Sequence, residues 1–96
     1  MNDRINVSLQ IIPLVKEASL YPVVDKVIEF IKTSGVPHVV GPMETTMEGD
    51  WDTLFAIVKK AHEICFTAGA ARVAAVIKTD CRPGGITIEE KIAQYR

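Results

Sequence analysis

Gly41-Pro42-Met43-Glu44-Thr45-Thr46-Met47-Glu48-Gly49-Asp50-Trp51 joins the two halves of this chain, and its reading decides the fold. Alternation along an extended segment puts Met43, Thr45 and Met47 on one face and Glu44, Thr46 and Glu48 on the other. This predicts a half-buried strand from Met43 to Glu48, entered through the Gly41-Pro42 bend. Gly49 breaks the strand, and Asp50 is placed to cap a helix. Glutamate is a poor strand former. Two glutamates on one strand face are therefore either solvated or placed to meet a cation or a donor-rich ligand.

Toward the N-terminus, Ile5, Val7, Leu9 and Ile11 alternate with Asn6, Ser8 and Gln10, which predicts a strand with one buried face, ended by Pro13. Lys16 to Ser19 reads as a loop. Ser19 is placed to cap a helix with Pro22 in its first turn. Leu20, Val23, Val24, Val27, Ile28 and Ile31 recur at helical spacing, and Gly35 is a natural stop. Val36 to Val40 reads as a short edge strand, because Pro37 cannot donate to a ladder.

Toward the C-terminus, Leu54, Val58, Ala61 and Cys65 line one face of a second helix, closed by Gly69. The apolar run Arg72 to Ile77 predicts a central strand covered on both sides. Pro83-Gly84-Gly85 turns the chain, and Thr87 with Glu90 forms a capping box opening a short last helix, Ile88 to Tyr95. The order βαββαβ plus a helix predicts an α+β, ferredoxin-like sandwich in a single domain over residues 1–96. Its helices cover one sheet face. The open face needs a cover, and a second subunit is the simplest one.

The bulk numbers narrow the function. Forty-eight per cent of residues are hydrophobic and the mean hydropathy is +0.18, which is apolar for a small monomer and points to a covered surface. Eleven basic and 12 acidic residues leave no excess to hold a phosphate backbone, which argues against nucleic acid. No apolar run approaches the roughly 20 residues of a membrane span. Met1-Asn2-Asp3-Arg4 shows no signal-peptide pattern, so the expected compartment is the cytoplasm. There Cys65 and Cys81, without CxxC spacing, are expected to be free thiols. No Cys/His/Asp cluster has metal spacing, and neither a metal nor a cofactor is expected.

Gly-Pro-Met-x-Thr-Thr-x-Glu-Gly-Asp-Trp from Gly41, Lys-Lys-Ala-His-Glu in the second helix, and Lys-x-Asp-x-Arg from Lys78 together resemble the small thiamine-binding protein family related to YkoF. The resemblance spans nearly the whole chain. It departs at Cys81-Arg82-Pro83-Gly84-Gly85, where a more charged turn is expected. It implies a ferredoxin-like fold, homodimers or homotetramers, and non-catalytic binding of thiamine or its hydroxymethylpyrimidine moiety.

Against that expectation each side chain has two readings. Glu48 is the leading acidic candidate, able to accept from an aminopyrimidine or balance a thiazolium; otherwise it bridges to Lys78 across the sheet. Glu44 reads as solvated. Thr45 and Thr46 offer hydroxyls but are also good strand residues. Ser19 stands at a helix N-terminus that suits an anion. Trp51 packs in the core or stacks on a heterocycle. Lys78 and Asp80 form either a self-satisfied cluster with Arg82 or a site where Asp80 meets a cationic ligand. Asn6, Ser8 and Gln10 suit a polar subunit interface better than a ligand platform. His62 reads as structural.

Three functions compete. A thiamine or hydroxymethylpyrimidine binding protein ranks first. An enzyme on this fold would need a phosphate-cradling loop after the first strand, where only Lys16 stands, or a nucleophile and base pair. A structural or regulatory homo-oligomeric module with no small ligand explains the apolar composition equally well.

Overall fold

The computed structural model describes residues 3–96. Met1 and Asn2, the start of the stretch read above for a signal peptide, lie outside the described residues. The alternating apolar residues after Arg4 form β1 (Ile5–Leu14), with Ile5, Val7 and Leu9 buried against the helices. Pro13 does not end the strand as expected. It pairs with Val73, and beyond Leu9 the strand is laddered on one side only, so a missing N–H is tolerated there.

The first helix, α1 (Glu17–Ser34), starts three residues earlier than Leu20. Its N-cap is Lys16, without a side-chain bond, so Ser19 is not the cap. The Ser19 N–H donates to the Lys16 carbonyl at 2.8 Å inside the first turn. Pro22 therefore falls in the second turn, not the first. Gly35, at φ +80°, ends the helix as expected. β2 (His38–Val40) and β3 (Thr45–Gly49) follow, the latter shorter at its start than predicted. Gly49 is still paired, opposite Ile5, and any side chain there would press on Leu54. Asp50 caps α2 (Trp51–Thr67) by accepting from the Thr53 N–H at 3.2 Å. Leu54, Val58, Ala61 and Cys65 form its buried stripe, as the periodicity requires.

The four strands lie in the order β2-β3-β1-β4, all antiparallel, with β4 spanning Arg72–Asp80. This is the ferredoxin-like arrangement predicted. It overturns one expectation: β4 is an edge, not a central strand. Val76 and Ile77 are 49% and 39% exposed. An apolar run alone cannot distinguish a covered centre from an edge that is bare in the isolated chain.

The last segment has the predicted capping box, Thr87 with Glu90, opening α3 (Ile88–Ile92) and a 3₁₀ turn at Ala93–Tyr95. It folds back over the sheet face opposite α1 and α2. The open face is therefore partly covered by the chain's own C-terminal segment, where the sequence alone points to a second subunit.

Candidate functional site

Register fixes what the open face presents. Asn6 pairs with Glu48 on one side and Asp80 on the other; Ser8 pairs with Thr46 and Lys78. Side chains of cross-strand partners share a face, so Asn6, Ser8, Thr46, Glu48, Lys78 and Asp80 all lie opposite the helical layer. Of these, Asn6, Ser8, Thr46, Lys78 and Asp80, together with Glu44 and Val39, floor a cavity of about 300 Å³, walled by Ile88, Lys91 and Ile92 of α3. That volume is at the lower end of the range for small-molecule sites.

The polar groups are connected. The Thr46 hydroxyl donates to Ser8 Oγ at 3.4 Å, and Ser8 donates to Glu44 Oε2 at 2.6 Å. Lys78 Nζ donates to Glu44 Oε1 at 2.7 Å. The Lys78 ammonium first, and the Ser8 hydroxyl second, hold the Glu44 carboxyl below its ordinary value. On the other wall Lys91 Nζ lies 2.7 Å from Asp80 Oδ2. Each carboxylate of the cavity thus has its own lysine, and the lining is charge-balanced.

One group is unsatisfied. Asn6 is 3% exposed, and its Nδ2 donates to the Ile86 carbonyl at 3.4 Å. Asn6 Oδ1 is the one buried side-chain oxygen or nitrogen without a hydrogen-bond partner among the described residues. A buried acceptor left open costs about 1–3 kcal/mol, so the fold carries a local deficit at the cavity floor.

The two glutamates exchange the roles read from the sequence. Lys78 bridges to Glu44, not Glu48, and Glu44 is bonded rather than merely solvated. Glu48 does not line the cavity. It is 8% exposed, and its Oε1 accepts from the Ile88 N–H at 2.7 Å while its Oε2 accepts from Arg4 Nε at 3.1 Å. The carboxylate sits at the first turn of α3 and ties that helix to the sheet. Its glutamate on an apparently costly strand face is explained by a helix contributed from 40 residues downstream.

The remaining candidates scatter. Thr45 is buried on the helical side, opposite Leu9. Trp51 lies in the helical layer, stacked on Phe55 with centroids 5.5 Å apart. Ser19 is exposed in α1, beyond the C-terminal end of β1, whereas the cavity gathers at its N-terminal half. Of the sequence candidates, the cavity therefore collects Thr46, Lys78 and Asp80. Asn6 and Ser8 were visible as a polar stripe but were assigned to a subunit interface. No local pattern assigns Lys91, Ile88 and Ile92 to the cavity, because only the return of α3 brings them to the sheet. Arg82, read with Lys78 and Asp80, instead bonds Glu90 at 3.0 Å and the Gly85 carbonyl, stapling the α3 entry turn. His62 Nδ1 lies 2.8 Å from the Val58 carbonyl within α2. Among the described residues no cluster of His, Cys, Asp or Glu could hold a metal ion, and no helix is long and apolar enough to cross a membrane.

Comparison with known proteins places this architecture. A UPF0045 protein of Clostridium perfringens is 56% identical over 94 residues, covering 98% of this chain and 99% of its own. The structure of a domain of unknown function, DUF77, from Bacillus cereus superposes with a TM-score of 0.91 at 44% identity, covering 98% of this chain and 91% of that one. A Thermotoga maritima crystal structure, provisionally described as a thiamine biosynthesis/salvage protein, gives 0.89 at 35% identity over 97% and 99% of the two chains. The sequence model of the family described as "Thiamine-binding protein" matches residues 7–96. The chain belongs to that thiamine-binding protein family.

Proposed function

We propose that this chain binds hydroxymethylpyrimidine, or thiamine through its pyrimidine half, in the cavity under α3, without turning it over. The open acceptor at Asn6 Oδ1 carries the reading. The 4-amino group of the pyrimidine is a donor of the kind that oxygen lacks, and a turn of the Asn6 amide would bring the buried oxygen to it. Val39, Ile88 and Ile92 give the flat ring apolar walls, while Ser8, Thr46 and Lys78 border its edge. Glu44 and Asp80 are already paired with lysines. A neutral heterocycle suits such a charge-balanced cavity better than a thiazolium, which would meet no free carboxylate on the floor. The family and the thiamine biosynthesis/salvage neighbour support the same ligand class. The protein is proposed to act in the cytoplasm as a homo-oligomer.

Calorimetry on ligand-free protein tests this. Hydroxymethylpyrimidine and thiamine are expected to bind, the isolated thiazole half is not, and Asn6→Ala is expected to weaken binding by about tenfold or more. Binding of the thiazole alone, or unchanged affinity in Asn6→Ala, would overturn the assignment. No binding by any of the three would favour an interaction module with no small ligand.

A further inference from the structure

Exposure along the open face of β1 rises with distance from α3. Asn6 and Ser8 are 3% and 8% exposed, whereas Ile12 and Leu14, further along the same face, are 37% and 54% exposed. The face is thus roofed only near α3, whose Ile88, Lys91 and Ile92 wall the cavity. That helix is held unevenly. At its N-terminal end Ile88 is buried, and its N–H donates to Glu48 at 2.7 Å. The turn before it is tied down as well. The Ile86 N–H donates to the Arg4 carbonyl at 3.0 Å, and the Ile86 carbonyl accepts from Asn6. Beyond Ile88 no residue up to Arg96 is buried. Among the described residues, the one ion pair from that end to the sheet is Lys91 with Asp80, at 2.7 Å, and its side chains are 37% and 53% exposed.

We infer that α3 is a lid on the cavity, pivoting at Ile88 and latched at its far end by Lys91 and Asp80. Opening lifts Lys91 and Ile92 off the floor while the bond from Ile88 to Glu48 holds. An exposed ion pair contributes little in water, whereas breaking a buried bond leaves an unsatisfied group. The latch therefore yields before the anchor, and the far end opens without unfolding the sheet. A small molecule enters past Asp80 and is sealed from water when the lid closes.

The two lysine pairs of the cavity thereby differ in kind. Lys78 and Glu44 both belong to the floor, and their bond is indifferent to the position of α3. Lys91 belongs to the roof and Asp80 to the floor, so their contact forms only when the lid is down. Charge balance in the lining is complete in the closed state alone. The lid does not rest on the pyrimidine reading, and it is tested without ligand.

Access to the floor is read with a thiol introduced by Ser8→Cys, in protein whose exposed Cys81 is removed by Cys81→Ser; Cys65 is buried. Alkylation by iodoacetamide is followed by mass spectrometry. Lys91→Glu keeps the bulk of the latch but sets two carboxylates against each other, and it is expected to speed alkylation about three- to tenfold. The added negative charge by itself disfavours the reactive thiolate, so acceleration reports opening. Combining Lys91→Glu with Asp80→Lys is expected to restore the slow rate, because the swapped charges meet again. Amide exchange is expected to quicken at residues 92–95 in Lys91→Glu and to stay unchanged at Ile88. Alkylation indifferent to Lys91→Glu, or a double swap as fast as the single change, would overturn the latch. Equal quickening of exchange at Ile88 would overturn the pivot. If Ser8→Cys does not fold, as judged by circular dichroism, Thr46→Cys supplies the thiol on the floor.

Discussion

Replacing Glu48 with alanine distinguishes an anchor from a ligand contact. The carboxylate accepts a 2.7 Å bond from the Ile88 N–H, a buried donor at the start of α3. Truncation leaves that N–H without an acceptor, at about 1–3 kcal/mol. The second bond, to Arg4, adds less, because the guanidinium side chain is 52% exposed and solvent replaces much of what is lost. Uncovering Ile88, which is 8% exposed, contributes the remainder. The sum is about 2–4 kcal/mol, and for a domain of this size that lowers the melting temperature by about 10–20 °C. Undocking of α3 alone would cap the global loss, so hydrogen exchange at residues 86–92 is measured alongside calorimetric melting. Glu48→Gln is expected to fall between the two, since its amide oxygen still serves Ile88 while its amide nitrogen opposes the Arg4 donor. Both variants are to be melted without ligand. A Glu48→Ala protein that melts with the parent and exchanges normally at Ile88 would refute the anchoring argument and return Glu48 to the ligand.

Acid is expected to destabilise the protein in a defined direction. Glu44 is held below its ordinary 4.5 by Lys78 and then Ser8, Asp50 below 3.8 by its Thr53 cap bonds, and Glu90 below 4.5 by the Thr87 N–H and then Arg82. A lowered folded-state pKa means that the unfolded chain binds more protons, so this stability is present above the ordinary values and is lost as pH falls through the lowered ones. Melting temperature is expected to be flat near neutrality and to fall below about pH 4; a rise on acidification would contradict it. Thiol titration should find Cys81 reacting in the native state. Cys65, fully buried and with its thiol pKa pushed up by desolvation, should react only in denaturant. Two fast thiols in native protein would refute the packing around α2.

Sequence patterns reached far into the fold because the main signals are local. The alternation of Ile5, Val7 and Leu9, the Leu54-Val58-Ala61-Cys65 stripe, the Asp50 cap and the Thr87–Glu90 box each report the chemistry of a few neighbouring residues, and each stands in the structure. Pro13 and the start of α1 were misjudged for a related reason. Whether a proline ends a strand depends on which sides are laddered, and that is set by partners far along the chain.

The sequence by itself determined the element order, the faces of the strands and helices, the ferredoxin-like class and the family. It also identified Thr46, Lys78 and Asp80 as polar residues with something to meet. Only the tertiary structure decided which glutamate faces the cavity and which holds a helix, because that depends on where α3 lands, and no periodicity encodes the docking of a distant segment. It also decided that β4 is an edge, since strand order follows from which ladders form, and hydrophobicity reports burial without saying whether the cover comes from the same chain. The unsatisfied oxygen of Asn6 belongs to this second class. A polar stripe on β1 is legible in one dimension; an acceptor left open among satisfied neighbours exists only once all its neighbours are in place.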